Sequence, residues 1–400
     1  MPYLGQQAIK TKIFTAMAIK NILENKFYSY NVGKFPKGCA HCVKGEKLVL
    51  FVTGICPRKC YFCPVSDEKY QKDVIFANER NVNDFNDVLM EAMAMNAKGA
   101  GITGGDPLSR LDRTAAYIKS LKEKFGKGFH IHLYTSLNLV SEKSLEKLYS
   151  SGLDEIRFHL DLDSKKLWGK LECARKFNWD IGVELPVIPL KEKELREAVD
   201  YIADKVDFLN LNELEAADNI HSDLKKLGLH AKGSLSYAIK GSLESGLRLI
   251  DYCKAKGCKI PIHVCTAKLK DAIQLSGRIK RQAKIVKREF DIMDEEGLLT
   301  RGALYLPELE PSFGYRNKLK EINKEEYASR LGVLAATIKD KLSLGDKDIS
   351  VDKKKPRILL SRKNLIKNKN MFLKMGLSPA IVVEYPTADQ FEIEIEFLRE

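Results

Sequence analysis

The sequence has no long hydrophobic run. Its clearest unbroken apolar stretches are Leu48–Val52 and Ala380–Val383, and both are far shorter than the ~20 apolar residues that a membrane-spanning helix requires. Near the N-terminus, Lys10, Lys12 and Lys20 interrupt the apolar residues, so a signal peptide is not expected. The sequence therefore argues against a membrane protein and predicts a cytoplasmic one.

Compositional bias is also absent. Of the 400 residues, 44% are hydrophobic and 30% are charged, as is usual for a soluble globular protein with a core. This length is enough for a full catalytic domain with additions. No internal repeat is visible beyond an alternation of strands and helices.

Cysteine is unevenly distributed. The chain has nine cysteines, and five of them lie between Cys39 and Cys63. Because a cytoplasmic chain keeps its thiols reduced, this clustering indicates metal binding rather than disulfide bonds. Cys173, Cys253 and Cys258 lie in or beside predicted helices, and we expect them in the core.

Positive charge is concentrated in two segments of a chain whose net charge is +13. Lys268–Arg288 carries eight Lys/Arg and one Asp, and Asp352–Lys374 carries nine Lys/Arg and one Asp. A large anionic partner such as tRNA or another RNA would explain both segments. A solvated helix face is the alternative interpretation.

Strands and helices alternate over the first two thirds of the chain. The pattern predicts strands at Leu48–Thr53, Gly99–Thr103, His130–Thr135, Glu155–Leu160, Ile181–Ile188, Phe208–Leu211 and Ile260–Cys265. It predicts helices between them at Asn81–Ala97, Leu111–Phe125, Ser141–Ser150, Lys165–Phe177 and Lys191–Lys205. This alternation indicates an α/β fold, a partial (β/α)6-type barrel of parallel strands with its chemistry at their carboxyl ends.

On either side of this predicted barrel the residue pattern is different. Residues 6–25 predict a basic amphipathic helix and residues 26–47 a loop. Beyond the barrel we expect a long basic helix over Lys268–Phe290, a helix over Lys320–Leu342 and mixed strand and helix over Pro356–Glu400. The predicted parts are an N-terminal helix and CxxC segment in 1–44, the core barrel in 45–267 and a basic helical and α+β extension in 268–400.

Three cysteines with the spacing CxxxCxxC follow the first predicted strand. They are Cys56, Cys60 and Cys63. A short loop with this spacing can present three thiolates to one cluster, and thiolates are the usual ligands of iron–sulfur clusters. Three ligands leave one of four irons open to bind and reduce another molecule.

A second motif ends the next strand. It reads Gly104-Gly105-Asp106-Pro107. With both motifs in this order, the sequence resembles the radical S-adenosylmethionine (SAM) superfamily over roughly residues 45–265. The resemblance implies an enzyme in which a reductant such as ferredoxin or flavodoxin supplies an electron to a [4Fe-4S] cluster, which cleaves SAM to a 5′-deoxyadenosyl radical.

The same resemblance implies roles for residues in both motifs. The three cysteines would bind the cluster, and Phe62, the aromatic residue before the third cysteine, would pack near the SAM adenine. The glycine motif would hold the methionine amino group of SAM. Asp106 stands where the family more often has Glu, which keeps the carboxylate on a shorter side chain.

More narrowly, the chain resembles mainly archaeal iron–sulfur proteins described as related to pyruvate formate-lyase activating enzyme. The stretches that carry this resemblance are Lys47–Pro64, Gly99–Pro107, His130–Thr135, Asp154–His159, Leu209–Glu215 and His263–Gln274. The family label names a relationship and leaves the substrate open.

Polar residues at later strand ends are further candidates for cofactor contacts. Thr135 follows the third strand and His159 lies at the end of the fourth, while Glu184 lies within the fifth and Asn212 follows the sixth. The resemblance places contacts to the SAM ribose on the fourth and fifth strands. Glu184 and Asn212 are the preferred pair, because acidic and amide groups suit ribose hydroxyls.

A second metal site is also predicted. Cys39 and Cys42 form a CxxC pair, and His263 and Cys265 point to one face of a late strand. Together they would suit zinc or an auxiliary iron–sulfur cluster. Free buried thiols and a core histidine are the alternative.

Three functions remain open from the sequence. The first is a radical SAM enzyme acting on RNA, with tRNA as the leading candidate, and the second is one that modifies a protein or activates a glycyl-radical enzyme. The third is a non-catalytic zinc-ribbon RNA-binding protein. In that case Cys39, Cys42, Cys60 and Cys63 would bind zinc, since seventeen residues separate the two CxxC pairs.

Overall fold

A computed structural model describes residues 24–399. The helix predicted over residues 6–25 lies almost entirely outside the described residues. The chain divides into two compact units, one ending at Arg278 and the other beginning at Ile279. The sequence predicts the corresponding boundary about ten residues earlier, at 267.

The first unit contains most of the strands. They are β1 (Tyr30–Val32), β2 (Lys47–Phe51), β3 (Phe76–Ala77), β4 (Arg80–Asn81), β5 (Gly99–Thr103), β6 (His130–Ser136), β7 (Glu155–His159), β8 (Asp180–Val187), β9 (Phe208–Glu213), β10 (Ala231–Gly233), β11 (Ser236–Ile239) and β12 (Ile262–Cys265). Ten of these form one sheet in the order β1-β12-β9-β8-β7-β6-β5-β2-β3-β4, and β10 and β11 form a separate hairpin.

The middle of this sheet is parallel. Strands β2, β5, β6, β7, β8, β9 and β12 all run in the same direction, and β1 and β3 pair antiparallel at either side. Among residues 24–399 the sheet does not close, because β1 and β4 each have one free edge. The prediction of a partial parallel α/β barrel is therefore confirmed.

Helices lie in the connections between these strands and after the last of them. They are α1 (Lys37–Cys42), α2 (Phe85–Ala94), α3 (Leu111–Phe125), α4 (Glu142–Ser150), α5 (Glu192–Ile202), α6 (Ser242–Ala255) and α7 (Ser276–Val286). The other helical segments are the 3₁₀ turns Pro107–Arg110, Lys165–Lys176 and Pro189–Lys191 and the π-helical Leu269–Leu275. None of the helices within residues 24–399 is long and apolar enough to cross a membrane.

Local sequence explains where several helices begin. Ser141 caps α4 and forms a reciprocal capping box with Ser144, as its place before the helix predicts. Asp84 caps α2 by accepting hydrogen bonds from the backbone N–H groups of Asn86 and Asp87. These caps satisfy N–H groups that have no partner inside the helix.

Three sequence predictions about local structure are wrong. Residues 26–47 are not simply a loop, because they contain β1 and α1; α1 has only six residues, too few to show a helical period. Lys165–Phe177 forms 3₁₀ turns rather than an α-helix. The basic helix predicted over Lys268–Phe290 begins with π-helical turns and ends at Val286.

The two faces of the barrel strands differ in polarity. In β7, Ile156 and Phe158 are fully buried in the main hydrophobic cluster. The alternate residues Glu155, Arg157 and His159 take the opposite face. Since Arg157 is also buried, this second face forms a polar interior rather than a solvent surface.

The second unit is built on an antiparallel sheet. Its strands are β13 (Ile292–Met293), β14 (Leu299–Tyr305), β15 (Ile349–Asp352), β16 (Arg357–Leu360), β17 (Ser378–Glu384) and β18 (Glu392–Phe397). Its helices are α8 (Tyr315–Glu321), α9 (Lys324–Leu342), α10 (Arg362–Lys367) and α11 (Lys369–Lys374). The strand order is β15-β16-β14-β17-β18, with β13 paired to β14, which is the predicted α+β architecture.

Buried ion pairs crosslink this second sheet. Arg357, which is fully buried, contacts Glu384 at 2.7 Å and Asp352 at 3.3 Å. Arg301 contacts Asp291 at 2.6 Å and Glu384 at 3.0 Å. Part of the positive charge in the second basic segment is therefore neutralised inside the unit.

Candidate functional site

The cysteine loop, residues 54–74, leaves the carboxyl end of β2. Its three cysteines, Cys56, Cys60 and Cys63, are free thiols of intermediate exposure. The base of the loop is closed by two backbone hydrogen bonds, from Gly54 N to Lys72 O at 2.8 Å and from Gln71 N to Gly54 O at 3.0 Å. The loop has little regular structure of its own, so neighbouring elements must hold it.

Asp73 anchors the end of the loop. Its carboxylate accepts hydrogen bonds from Arg113 at 2.6 Å, from Arg110 at 2.9 Å and from the hydroxyl of Thr53 at 2.9 Å. Arg113 is the largest cause that lowers the pKa of Asp73. These contacts tie the loop to both β2 and α3.

The glycine motif at the end of β5 packs directly on the start of the loop. Gly105 N donates to Thr53 O at 2.7 Å, and Asp106 N donates to Ile55 O at 2.9 Å. A Cβ atom on Gly105 would lie 2.5 Å from the carbonyl oxygen of Gly54. Only glycine therefore permits this backbone-to-backbone approach.

The Asp106 carboxylate is directed towards the end of β6. It accepts hydrogen bonds from Thr135 Oγ1 at 2.8 Å, Ser136 Oγ at 2.6 Å and Ser136 N at 3.1 Å, and from Leu108 N at 3.0 Å. Burial raises the pKa of Asp106, and the bonds from Ser136 and Thr135 oppose that shift. Asp106 thus fixes two neighbouring strand ends to each other.

A cavity of about 520 Å³ lies between the cysteine loop and these strand ends. Its walls include all three cysteines and the predicted residues Phe62, Gly104, Gly105, Thr135 and His159. The predicted residues Asp106 and Pro107 are buried behind the wall. The structure therefore brings most of the residues predicted for the cluster and SAM to one cavity.

An aromatic pair forms one side of the cavity. The rings of Phe62 and His159 have centroids 5.7 Å apart. Burial, followed by the charge of Arg58, lowers the pKa of His159 to about 3. The imidazole is therefore neutral near pH 7 and offers an uncharged surface beside Phe62.

Arg58 is a cavity residue that the sequence reasoning missed. One guanidinium nitrogen lies 3.2 Å from Asp161, and Nη1 is buried with no hydrogen-bond partner among the described residues. Its backbone N–H donates to the sulfur of Cys56 at 3.4 Å. The available signal was its place inside the cysteine motif, where a cation would lie beside any anionic group in the cavity.

The thiols suit a cluster that binds several cysteines. Burial raises the pKa of Cys56 to about 11 and also raises those of Cys60 and Cys63. Without metal the thiols therefore stay protonated at neutral pH, and metal binding would release protons. Because a [4Fe-4S] cluster takes each thiolate at a different iron, three thiols spaced around one cavity fit it.

The other predicted pair lies in the polar interior of the barrel. Asn212 donates to Glu184 at 2.7 Å, and Arg157 donates to Glu184 at 2.8 Å and to Glu155 at 2.6 Å. Glu184 and Asn212 are thus hydrogen-bonded to each other. Neither residue is part of the wall of the cysteine cavity, so their role towards SAM stays a prediction.

The residues predicted for a second metal site have other partners. His263 contacts Asn210 at 2.7 Å through Nδ1 and Ser29 at 3.2 Å through Nε2. The thiol of Cys39 lies 3.5 Å from Arg157. Across residues 24–399 no three His, Cys, Asp or Glu side chains converge as around a single metal ion. The structure therefore gives no support to zinc at Cys39, Cys42, His263 and Cys265.

Comparison with known proteins identifies the family. A sequence model of the Radical SAM superfamily matches residues 50–207. A protein of Methanocaldococcus jannaschii named "putative glycyl-radical enzyme activating enzyme" is 38% identical over 384 residues, which are 92% of this chain and 94% of that protein. The chain belongs to the radical SAM superfamily. It is therefore an iron–sulfur enzyme, and the zinc-ribbon alternative is wrong.

The solved structures that match the chain are only distantly similar to it. Coproporphyrinogen III oxidase from Escherichia coli matches with a TM-score of 0.36 and 11% identity over 90% of this chain and 97% of that chain. Methylornithine synthase matches with a TM-score of 0.36 and 12% identity over 63% of this chain and 85% of that chain. Similarity at this level carries no information about the substrate.

Proposed function

We propose that this chain is a radical SAM enzyme that modifies a protein partner, as a glycyl-radical activating enzyme does. The observation that carries the radical chemistry is the cavity of about 520 Å³ whose walls combine three cysteines with the glycine motif. The observation that favours a protein partner is the 38% identity over 92% of the chain with the activating-enzyme relative.

The bound groups would supply the chemistry, and the protein would position them. Cys56, Cys60 and Cys63 would hold a [4Fe-4S] cluster, and that cluster would supply the single electron for the reductive cleavage of SAM. Gly104 and Gly105 let the end of β5 pack directly on the backbone of the cysteine loop, and both line the cavity. Phe62 and His159 offer an uncharged aromatic surface of the kind that an adenine ring stacks on.

Anaerobic reconstitution tests the radical chemistry. The protein is loaded with iron and sulfide, reduced with dithionite and given SAM, and 5′-deoxyadenosine is measured by chromatography. We expect production that disappears in Cys60→Ala. The matched control is Cys173→Ala, a free thiol in the 3₁₀ segment away from the cavity, which should retain the activity.

Two outcomes would contradict this part of the proposal. A Cys60→Ala variant that still cleaves SAM would show that another site carries the chemistry. If wild-type protein binds zinc and takes up no iron, it forms no iron–sulfur cluster.

The structure weakens one argument for an RNA substrate. In the first basic segment, Lys270 pairs with Glu215 and Arg278 pairs with Glu79. In the second, Arg357 is buried among carboxylates. These cations are already paired with carboxylates, so the charge count of the sequence overstates the unpaired positive charge. A tRNA substrate stays a prediction from the remaining charge.

Two assays distinguish a protein substrate from an RNA substrate. A pyruvate formate-lyase-type enzyme is incubated anaerobically with the reconstituted protein, reductant and SAM, and a glycyl radical is sought by electron paramagnetic resonance (EPR). In parallel, binding of total tRNA is measured at rising salt, because phosphate contacts weaken steeply with ionic strength. A glycyl radical would support the proposal, whereas tight, salt-sensitive tRNA binding without it would favour RNA.

A further inference from the structure

A long excursion of the chain between β9 and β12 reaches the cysteine loop. Within it, residues 219–223, which we name the clasp, lie against residues 61–70 of the loop. Asn219 and Cys63 are 156 positions apart in the sequence. The contact is therefore a feature of the fold and is not visible as a sequence motif.

The clasp supplies hydrogen bonds to backbone carbonyls of the loop. The side-chain amide of Asn219 donates to Cys63 O and to Val65 O, both at 3.0 Å. Asp223 N donates to Tyr61 O at 2.8 Å. These three carbonyls bracket the third cysteine of the motif, so the backbone on both sides of it is fixed.

The side chain of Asn219 is fully engaged. Its amide nitrogen has two N–H donors, one for each loop carbonyl, and its oxygen accepts from Ser222 N at 3.0 Å. Aspartate in the same place would lack both donors, although it has the same shape. A satisfied network of this kind holds its members in one geometry.

Further contacts tie the clasp to the cavity wall. Asp67 accepts from Ile220 N at 3.2 Å and contacts His221 Nδ1 at 3.1 Å. The ring of His221 stacks on Tyr70 with centroids 3.7 Å apart and planes 13° apart. Tyr70 lines the cysteine cavity, so the clasp supports the site at two separate points.

We propose that the clasp holds Cys63 in the geometry needed to bind the cluster, and that Asn219 is a positioning residue for it. The inference rests on the proposed function only in assigning the cluster to the three cysteines. The two hydrogen bonds of Asn219 hold the carbonyl groups of Cys63 and Val65, and their loss would let the loop open without disturbing the barrel. None of the clasp residues, 219–223, belongs to the hydrophobic core of the barrel.

The test compares Asn219→Asp and Asn219→Ala with wild-type protein. After anaerobic reconstitution, iron per chain is measured, and the rate of cluster loss to a chelator is followed by visible absorbance. We expect loss to be faster by about tenfold in both variants, the factor that one ordinary hydrogen bond represents. The EPR signal of the reduced cluster, and its change on adding SAM, should also be altered.

Two controls separate positioning from general damage. Asn317→Asp makes the same change on an exposed residue of α8 and should leave every cluster measurement unchanged. The melting temperature of the cluster-free protein should be the same in all variants, because the clasp lies outside the core. If Asn219→Asp fails to fold, Asp67→Ala weakens the same contact from the loop side and should accelerate cluster loss in the same direction.

The outcomes distinguish this inference from the proposed function. If wild-type protein assembles a cluster and the Asn219 variants keep it equally well with an identical EPR signal, the clasp proposal is overturned and the proposed function stands. If wild-type protein assembles no iron–sulfur cluster, both are overturned. Faster loss in the Asn219 variants alone supports the clasp.

Discussion

At the scale of single residues, Asp106 explains why a shorter acid works in the glycine motif. Its carboxylate lies within hydrogen-bond distance of Thr135 and Ser136 at the end of β6. It therefore acts between two strands of the protein. The shorter acid at this position is paired with the hydroxyl groups of Thr135 and Ser136, which donate hydrogen bonds to it.

We expect Asp106→Asn to weaken SAM binding by roughly tenfold while the three cysteines still bind a cluster. Ser136 N donates to Oδ2 of Asp106 and Leu108 N donates to Oδ1. The amide has a single acceptor oxygen and cannot serve both, and an unpaired buried donor costs about 1–3 kcal/mol. Equilibrium dialysis with SAM and iron analysis of the reconstituted variant measure the two quantities. Unchanged SAM affinity would show that the strand ends do not depend on this carboxylate.

Arg58 gives a second prediction at this scale. Because its guanidinium carries a positive charge into the cavity, it should stabilise the extra negative charge of a reduced cluster. Arg58→Met should shift the reduction equilibrium towards the oxidised form by about tenfold, which is 59 mV for a one-electron couple. Redox titration followed by EPR measures this shift. Arg58→Lys keeps the charge and should show a smaller change, and equal potentials in all three proteins would contradict the role.

At the scale of elements, the strands were predictable and their inner face was not. The alternation in β7 predicts a strand with one apolar face, formed by Ile156 and Phe158. The usual expectation places the polar face in water. Here the apolar face packs in the main core, and Arg157 is buried on the other face. The residue pattern predicts that the segment is a strand, but it does not predict which face of the strand lines the barrel interior.

Other elements of the site left no periodic signal. Helix α1 has six residues, and the clasp reaches the cysteine loop only through tertiary contacts. The sequence therefore predicts the cysteines, the glycine motif and the barrel. It cannot predict Asn219, because nothing near that residue in the chain marks its partner.

Helix α1 should be sensitive to a single methyl group. A Cβ at Gly38 would lie 2.6 Å from both Nη2 of Arg157 and Nδ1 of His132, and Arg157 is held by Glu155 and Glu184. We expect Gly38→Ala to lower the free energy of unfolding by about 1–3 kcal/mol, as overpacking does.

Urea unfolding of the cluster-free protein measures this effect. The matched control is Gly169→Ala, where a Cβ would meet nothing within 4 Å, and its stability should be close to that of wild type. Equal stability of the two variants would mean that α1 moves freely over the interior.

At the scale of the whole molecule, buried histidines predict an acid-sensitive first unit. Burial lowers the pKa values of His159 and His263 to about 3 and places that of His132 well below its usual value. Unfolded histidine has a pKa of about 6.5. As the pH falls below that value, the unfolded chain binds protons that the folded chain does not, so stability decreases.

We expect the free energy of unfolding of the cluster-free protein to fall between about pH 7.5 and pH 5, a window above the carboxylate pKa values. Urea titrations at several pH values measure this slope. His263→Gln should make the slope shallower, whatever its effect on stability at neutral pH. A flat profile in wild-type protein would contradict the burial of these rings.

The clasp also sets an order of events during synthesis. Cys63 is synthesised 156 residues before Asn219. At about 5–20 residues per second, the cysteine loop therefore exists for roughly 8–30 s before the clasp has been made. During that interval the three thiols are exposed on a nascent chain without their final geometry. On the clasp proposal, stable loading of the cluster would be a late step of maturation, limited by completion of the polypeptide as well as by the supply of iron.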